Sequence, residues 1–118
     1  MLQKLSVLII EDEKNICDFV AKTLRSGDYK VITAQTGKEG LAIMTSALPD
    51  LVLLDLGLPD MDGIDIIKQT RMWSSLPIIV ISARIQEKEK VAALDAGADD
   101  YITKPFGTDE LMARIRTA

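Results

Sequence analysis

Apolar residues in this chain fall into five short runs, and between them they recur every three or four positions. The runs are Leu5–Ile10, Lys30–Ala34, Leu51–Leu54, Ile78–Ile81 and Tyr101–Thr103, each of strand length and mostly rich in β-branched residues. The intervening stretches have helical spacing. Ile16, Phe19, Val20, Thr23 and Leu24 mark a first helix, with Gly27 as its stop. Thr36 and Glu39 have the spacing of a capping box for a second, whose inner face would carry Leu41, Met44 and Leu48. Asp62 is a cap for a third helix bearing Ile64, Ile67 and Arg71. A fourth runs from about Glu87 to Ala96 and stops at Gly97. Thr108 is the expected cap of a fifth, with Leu111, Met112 and Ile115 on its apolar side.

Strands that alternate with helices pair in parallel through right-handed crossovers, so the pattern predicts a doubly wound α/β sheet. No repeat or linker interrupts residues 1–118, which read as one domain. In a parallel sheet every strand ends on the same edge, where ligands of this architecture bind. Glu11 and Asp12 follow the first run, Asp55 the third, Ser82 the fourth and Lys104 the fifth. One rim therefore collects every candidate reactive group.

Composition narrows what that rim can do. The chain has no histidine, which removes a histidine base, a His-containing zinc site and a phosphohistidine. Its net charge of −4, with both signs interspersed, argues against a nucleic-acid face within these residues. No apolar run approaches the ~20 residues of a membrane span. Cys17 is the single cysteine, so no internal disulfide forms and a cytoplasmic setting is expected. Three carboxylates in a partly dry crevice repel one another until a cation offsets them. All-oxygen ligands favour Mg²⁺, or Mn²⁺, over zinc. The Lys104 ammonium and the Ser82 hydroxyl suit a tetrahedral oxyanion. A carboxylate nucleophile, a metal and two anion-binding groups describe phosphoryl transfer to aspartate, and Gly57 has the freedom to turn its carbonyl toward the metal.

The segments "LIIEDE", "LVLLDLGLPDMDGID", "PIIVISA" and "ALDAGADDYITKPF" resemble the receiver domain of two-component response regulators along essentially the whole chain. That resemblance implies a five-stranded flavodoxin-like fold of strand order 2-1-3-4-5, an order the general rule for doubly wound sheets already includes for such domains. It implies Asp55 as phosphoacceptor for a sensor histidine kinase, Glu11, Asp12 and the Gly57 carbonyl as further Mg²⁺ ligands, and Lys104 as the phosphate-binding lysine before a cis Pro105. Ser82 and Tyr101 would form the switch: the phosphoryl oxygen gives the Ser82 hydroxyl a partner it otherwise lacks, and Tyr101 then swings from exposed to buried. Gly57 replaces a methionine frequent in the family, which bears on how long a phosphoryl group survives. "GADDYITKPF" followed by "ELMARIR" is similar to the class whose receiver precedes a winged-helix DNA-binding domain, absent from these residues. "LDLGLPDMDGI", "MWSSLPIIVISAR" and "KPFG" are similar to the Kdp type of potassium-transport regulator within that class.

The class implies a homodimer on phosphorylation, with inter-protomer pairs Lys90–Glu110, Asp100–Arg114 and Asp95–Arg116 around an apolar centre of Ala93, Leu94 and Leu111. DNA would be reached only through the effector domain. Other readings fit less well. A haloacid-dehalogenase-type hydrolase needs an acid at position 57, and a dinucleotide-binding module needs a glycine-rich turn where this chain has "EDEKN". A stand-alone receiver in a phosphorelay is the remaining alternative.

Overall fold

The computed structural model describes residues 4–84 and 86–118. Strands and helices alternate: β1 (Ser6–Ile10), α1 (Lys14–Ser26), β2 (Lys30–Ala34), α2 (Gly37–Ala47), β3 (Leu51–Leu54), α3 (Gly63–Arg71), β4 (Ile78–Ser82), α4 (Glu87–Ala96), β5 (Asp100–Thr103) and α5 (Thr108–Thr117). All pairings are parallel, and the sheet order is β2-β1-β3-β4-β5. β1 and β3 are therefore neighbours, with Ile10 opposite Leu54.

Strand alternation divides the core into two layers. Val7, Ile9, Leu51, Leu53, Ile79, Ile81 and Ile102 face α1 and α5, meeting Val20, Leu24, Leu111 and Ile115. Leu8, Ile10, Val52, Leu54, Val80 and Tyr101 face the opposite layer, against Met44, Ile66, Ile67 and Ala93 of α2, α3 and α4. β3 is buried along its full length, which is why its sequence is continuously apolar.

Five element ends depart from the sequence reading, one of them at β5, which begins at Asp100 rather than Tyr101. Leu5 lies outside β1 and is exposed, and Ser82 is the last residue of β4, paired with Thr103. Leu48 leaves the inner face of α2 because it adopts a left-handed conformation (φ 48°) that turns its side chain to solvent. Thr108 is already helical; Gly107 holds the cap position and no side chain caps α5. Phe19 also leaves the apolar face assigned to it, with 51% of its surface exposed on α1. The other caps hold: Thr36 Oγ1 accepts from Glu39 N, Asp62 from Ile64 N, and Gly97 ends α4 with φ 122°.

Candidate functional site

The backbone ladder continues past the strand ends and fixes the rim. Glu11 donates its amide to Ala34 O, Asp55 to Ile10 O and Lys104 to Ser82 O, at 3.0, 2.9 and 2.8 Å. Each residue therefore keeps the alternation of its strand. Counting by twos from Ile9, Leu53 and Ile102 brings Glu11, Asp55 and Lys104 to the α1/α5 side. The same count from Ile10 and Val80 brings Asp12 and Ser82 to the other side, where Tyr101 also lies.

The side chains meet accordingly. Lys104 Nζ lies 2.7 Å from Glu11 Oε1 and 3.7 Å from Asp55 Oδ1. Glu11 Oε2 also accepts from Glu13 N. Carboxylate oxygens of Glu11, Asp12 and Asp55 all lie within 4.8 Å of one another, with Glu11 and Asp55 buried and Asp12 exposed. One ammonium thus faces three carboxylates. Burial is the chief cause that lifts Glu11 to about 7, reinforced by Asp55 and opposed by Lys104 and the Glu13 amide. Burial pulls Lys104 down, but Glu11 and Asp55 outweigh it and the ammonium is held above its usual range. Such an excess of buried negative charge suits a small hard cation, and every donor the cluster offers is oxygen.

Gly57 follows Asp55 by two residues, but its φ lies outside the left-handed region and a side chain there would meet nothing within 4 Å. Conformational freedom is therefore not what glycine supplies at this position. Its absence of a side chain leaves open space beside the carboxylates. The Lys104–Pro105 bond is cis.

Ser82 is buried, and its Oγ accepts from Arg84 N at 3.0 Å while its own proton goes to none of the described residues. The hydroxyl thus already has one partner, where the sequence reading expected none before a phosphate arrived. Tyr101 is buried as well, its OH donating to Arg84 O at 2.8 Å and its ring 5.6 Å from Lys90 Nζ. The inward position expected only after phosphorylation is the one seen here. Both residues converge on Arg84, which the sequence analysis passed over. Its guanidinium also reaches Leu56 O (3.5 Å) and Asp62 (3.6 Å).

Of the six charged residues assigned to an interface, Asp100 and Arg114 already meet within one chain at 3.0 Å, and Arg114 also binds Glu110 at 3.2 Å. Ala93 and Leu111 are fully buried in the two core layers and offer nothing to a partner. Leu94, with 42% exposure, and Val91, with 45%, are the apolar residues that α4 does present. Asp95 and Arg116 are exposed.

An acidic cluster beside a buried lysine, on the rim of a sheet of this order, defines a class, and the family model for the response regulator receiver domain matches residues 7–116. The chain belongs to that family. Within that family it is similar to KdpE regulators. It is 52% identical over 113 residues to the KDP operon transcriptional regulatory protein KdpE of Escherichia coli (strain K12), covering 96% of this chain and 50% of that protein. It is 53% identical over 112 residues to the transcriptional regulatory protein KdpE of Mycobacterium tuberculosis (strain ATCC 25618 / H37Rv), covering 95% and 50%. The chain thus spans about half the length of the curated relatives it matches. A solved receiver domain protein (CheY-like) from Methanospirillum hungatei JF-1 superposes with a TM-score of 0.92 at 30% identity, covering 98% of this chain and 93% of that one. Among the described residues no helix is long and apolar enough to cross a membrane.

Proposed function

We propose that Asp55 accepts a phosphoryl group from the phosphohistidine of a sensor histidine kinase, and that the change controls an attached DNA-binding domain. The single observation that carries this reading is the cluster of Glu11, Asp12 and Asp55 oxygens within 4.8 Å beside a buried lysine. An Asp55 oxygen attacks phosphorus, the P–N bond breaks, and its electron pair leaves with the imidazole, forming an acyl phosphate. Lys104 is placed to neutralise an equatorial phosphoryl oxygen, and the undonated Ser82 proton to hydrogen-bond another. Asp12 and Asp55 would hold Mg²⁺, or Mn²⁺, with the Gly57 carbonyl and with Glu11 directly or through water. When bound, the ion offsets the carboxylate charge and polarises the incoming group. The chain's part is signalling: it catalyses its own phosphorylation and no turnover of an external substrate.

An apolar groove of about 490 Å³ opens beside Lys104, lined by Ile16, Phe19, Pro105 and Phe106. Exposed Phe19 marks it as the surface a kinase domain would cover while its histidine reaches Asp55. The half-length match supports a DNA-binding domain beyond the receiver. Dimerisation through α4, β5 and α5 would use Lys90, Asp95, Asp100, Glu110, Arg114 and Arg116, with Leu94 and Val91 between them. The intrachain Asp100–Arg114 pair would then be exchanged or shared across the two-fold axis.

Acetyl phosphate followed by borohydride trapping and mass spectrometry is expected to label Asp55 in Mg²⁺ and not in EDTA. Label that survives Asp55→Asn would overturn the assignment. Sedimentation of the beryllofluoride-treated protein is expected to show a dimer that Arg114→Glu abolishes.

A further inference from the structure

The segment between Asp55 and α3 forms a small closed hairpin. Gly57 and Asp62 bridge its base, and Gly63 N donates to Leu56 O at 3.0 Å. The tip, Pro59–Asp60–Met61, reaches across to a different helix. Asp60 Oδ1 accepts from Gly37 N at 2.8 Å and Asp60 Oδ2 from Lys38 N at 2.9 Å. These are two of the amides that the start of α2 leaves without helical partners; the Thr36 hydroxyl satisfies a third, Glu39 N, and Gly40 N makes the first helical bond, to Thr36 O. A carboxylate at a helix N-terminus is favoured by the dipole and by charge-assisted hydrogen bonds. Those two amides hold the Asp60 carboxyl below its usual range, the Lys38 bond contributing most. Gly37 completes the joint, because a Cβ there would sit 2.5 Å from Met61 Cγ.

The geometry points to Asp60 as a positioning residue for the metal site: it clamps the hairpin carrying the Gly57 carbonyl to the N-terminus of α2. This rests on the metal reading above. The base of the hairpin is held by its own backbone, Gly57 bridging Asp62, and Gly57 has no side chain to anchor it elsewhere, so the tilt of the hairpin sets where its carbonyl points. Arg84 touches the hairpin's base at Leu56 O and Asp62, and Asp60 and Met61 are the contacts that tie its tip and so set that tilt. The clamp works in both directions. Ligation at Gly57 orders the hairpin, and an ordered hairpin protects the Gly37 and Lys38 amides.

The test measures Mg²⁺ affinity by calorimetry and amide exchange of Gly37 and Lys38, with and without Mg²⁺, in wild type, Asp60→Ala, Asp60→Asn and Thr36→Ala. Thr36→Ala weakens the same helix start without touching the hairpin. Expected are slower exchange at both amides on Mg²⁺ addition in wild type and loss of that response in Asp60→Ala. Mg²⁺ affinity should fall about tenfold, the low end of what outer-shell partners cost a metal site. Thr36→Ala should keep wild-type affinity. Should Asp60→Ala not fold, Asp60→Asn decides by the same measures, with a smaller loss because its amide oxygen keeps one acceptor. Asp60 variants within twofold of wild type, an equal loss in Thr36→Ala, or Mg²⁺ binding that leaves the wild-type Gly37 and Lys38 amides unmoved would each overturn the clamp alone. A wild type that binds no Mg²⁺ would overturn the metal reading together with it.

Discussion

Each end of the sheet carries a partly buried ionic network, and the two are built on different principles. At the lower end, Arg71 closes α3. Its Nε donates to Gly97 O, Nη1 to Ser74 O and Leu76 O, and Nη2 to Asp99 at 3.0 Å. Asp99 in turn accepts from Ile78 N at 2.8 Å. One cation meets one anion there, and the remaining donors meet carbonyls. At the rim, one lysine faces three carboxylates, with Glu11 at 2.7 Å and Asp55 at the looser 3.7 Å. A completed network stiffens a fold and has nothing left to bind, while the charge-imbalanced one keeps capacity for a cation and an oxyanion.

Substitution at the lower end should break the fold and spare the rim. Arg71→Leu strips Asp99 and three carbonyls of their donor, and is expected to cost about 2–4 kcal/mol in urea unfolding while Mg²⁺ affinity stays the same. A changed Mg²⁺ affinity would show that the two ends are coupled.

The rim should instead respond to pH. The folded chain keeps the Glu11 proton up to about pH 7, whereas the unfolded chain releases it near 4.5, so this contribution to stability is complete below 4.5 and is lost as pH rises through 7. Without metal, stability should fall by about 1–3 kcal/mol over that window, after allowance for relaxation around the charged group. Glu11→Gln should flatten the profile, and saturating Mg²⁺ should offset the loss in the wild type. Urea midpoints at pH 5, 6, 7 and 8 in EDTA make the measurement.

Removing one excess carboxylate sharpens the contrast further. Asp12→Asn or Asp55→Asn is expected to stabilise the metal-free protein by about 1 kcal/mol, since the repulsion relieved is that of like charges a few ångströms apart. The same variants should lose the stabilisation that Mg²⁺ confers. No substitution in the Arg71 network should stabilise anything. The smallest effect is expected at the switch: Tyr101→Phe removes one hydrogen bond, to Arg84 O, worth about 0.5–1.5 kcal/mol. Its mark should be seen in amide exchange around Arg84.

How much of this was legible beforehand differs residue by residue. The five strands and their common edge were written in the apolar runs, because burial on both faces demands continuous Val, Ile and Leu. Asp55, Glu11 and Lys104 were recognisable as rim residues for the same reason. Their convergence on one side of the sheet was also available, since period-two counting from Leu53, Ile9 and Ile102 carries it. Ala93 and Leu111 were misjudged as surface residues. Both lie on short helices where an apolar position is equally consistent with the core and with a partner, and only the packing of α4 and α5 against the sheet distinguishes them.

The sequence by itself determined the alternating elements, the parallel sheet and the chemistry at the strand ends, because each is dictated by local periodicity and residue type. Tertiary structure alone decided the contacts between segments distant along the chain. Asp60 caps a helix that begins 23 positions earlier, and Arg84 gathers Ser82 and Tyr101 around one backbone segment. Nothing local to "LPDMDG" or "SAR" shows these roles. A carboxylate or a guanidinium takes its partner from whatever amide or carbonyl the fold brings within about 3 Å, and that distance is set by how the helices pack on the sheet.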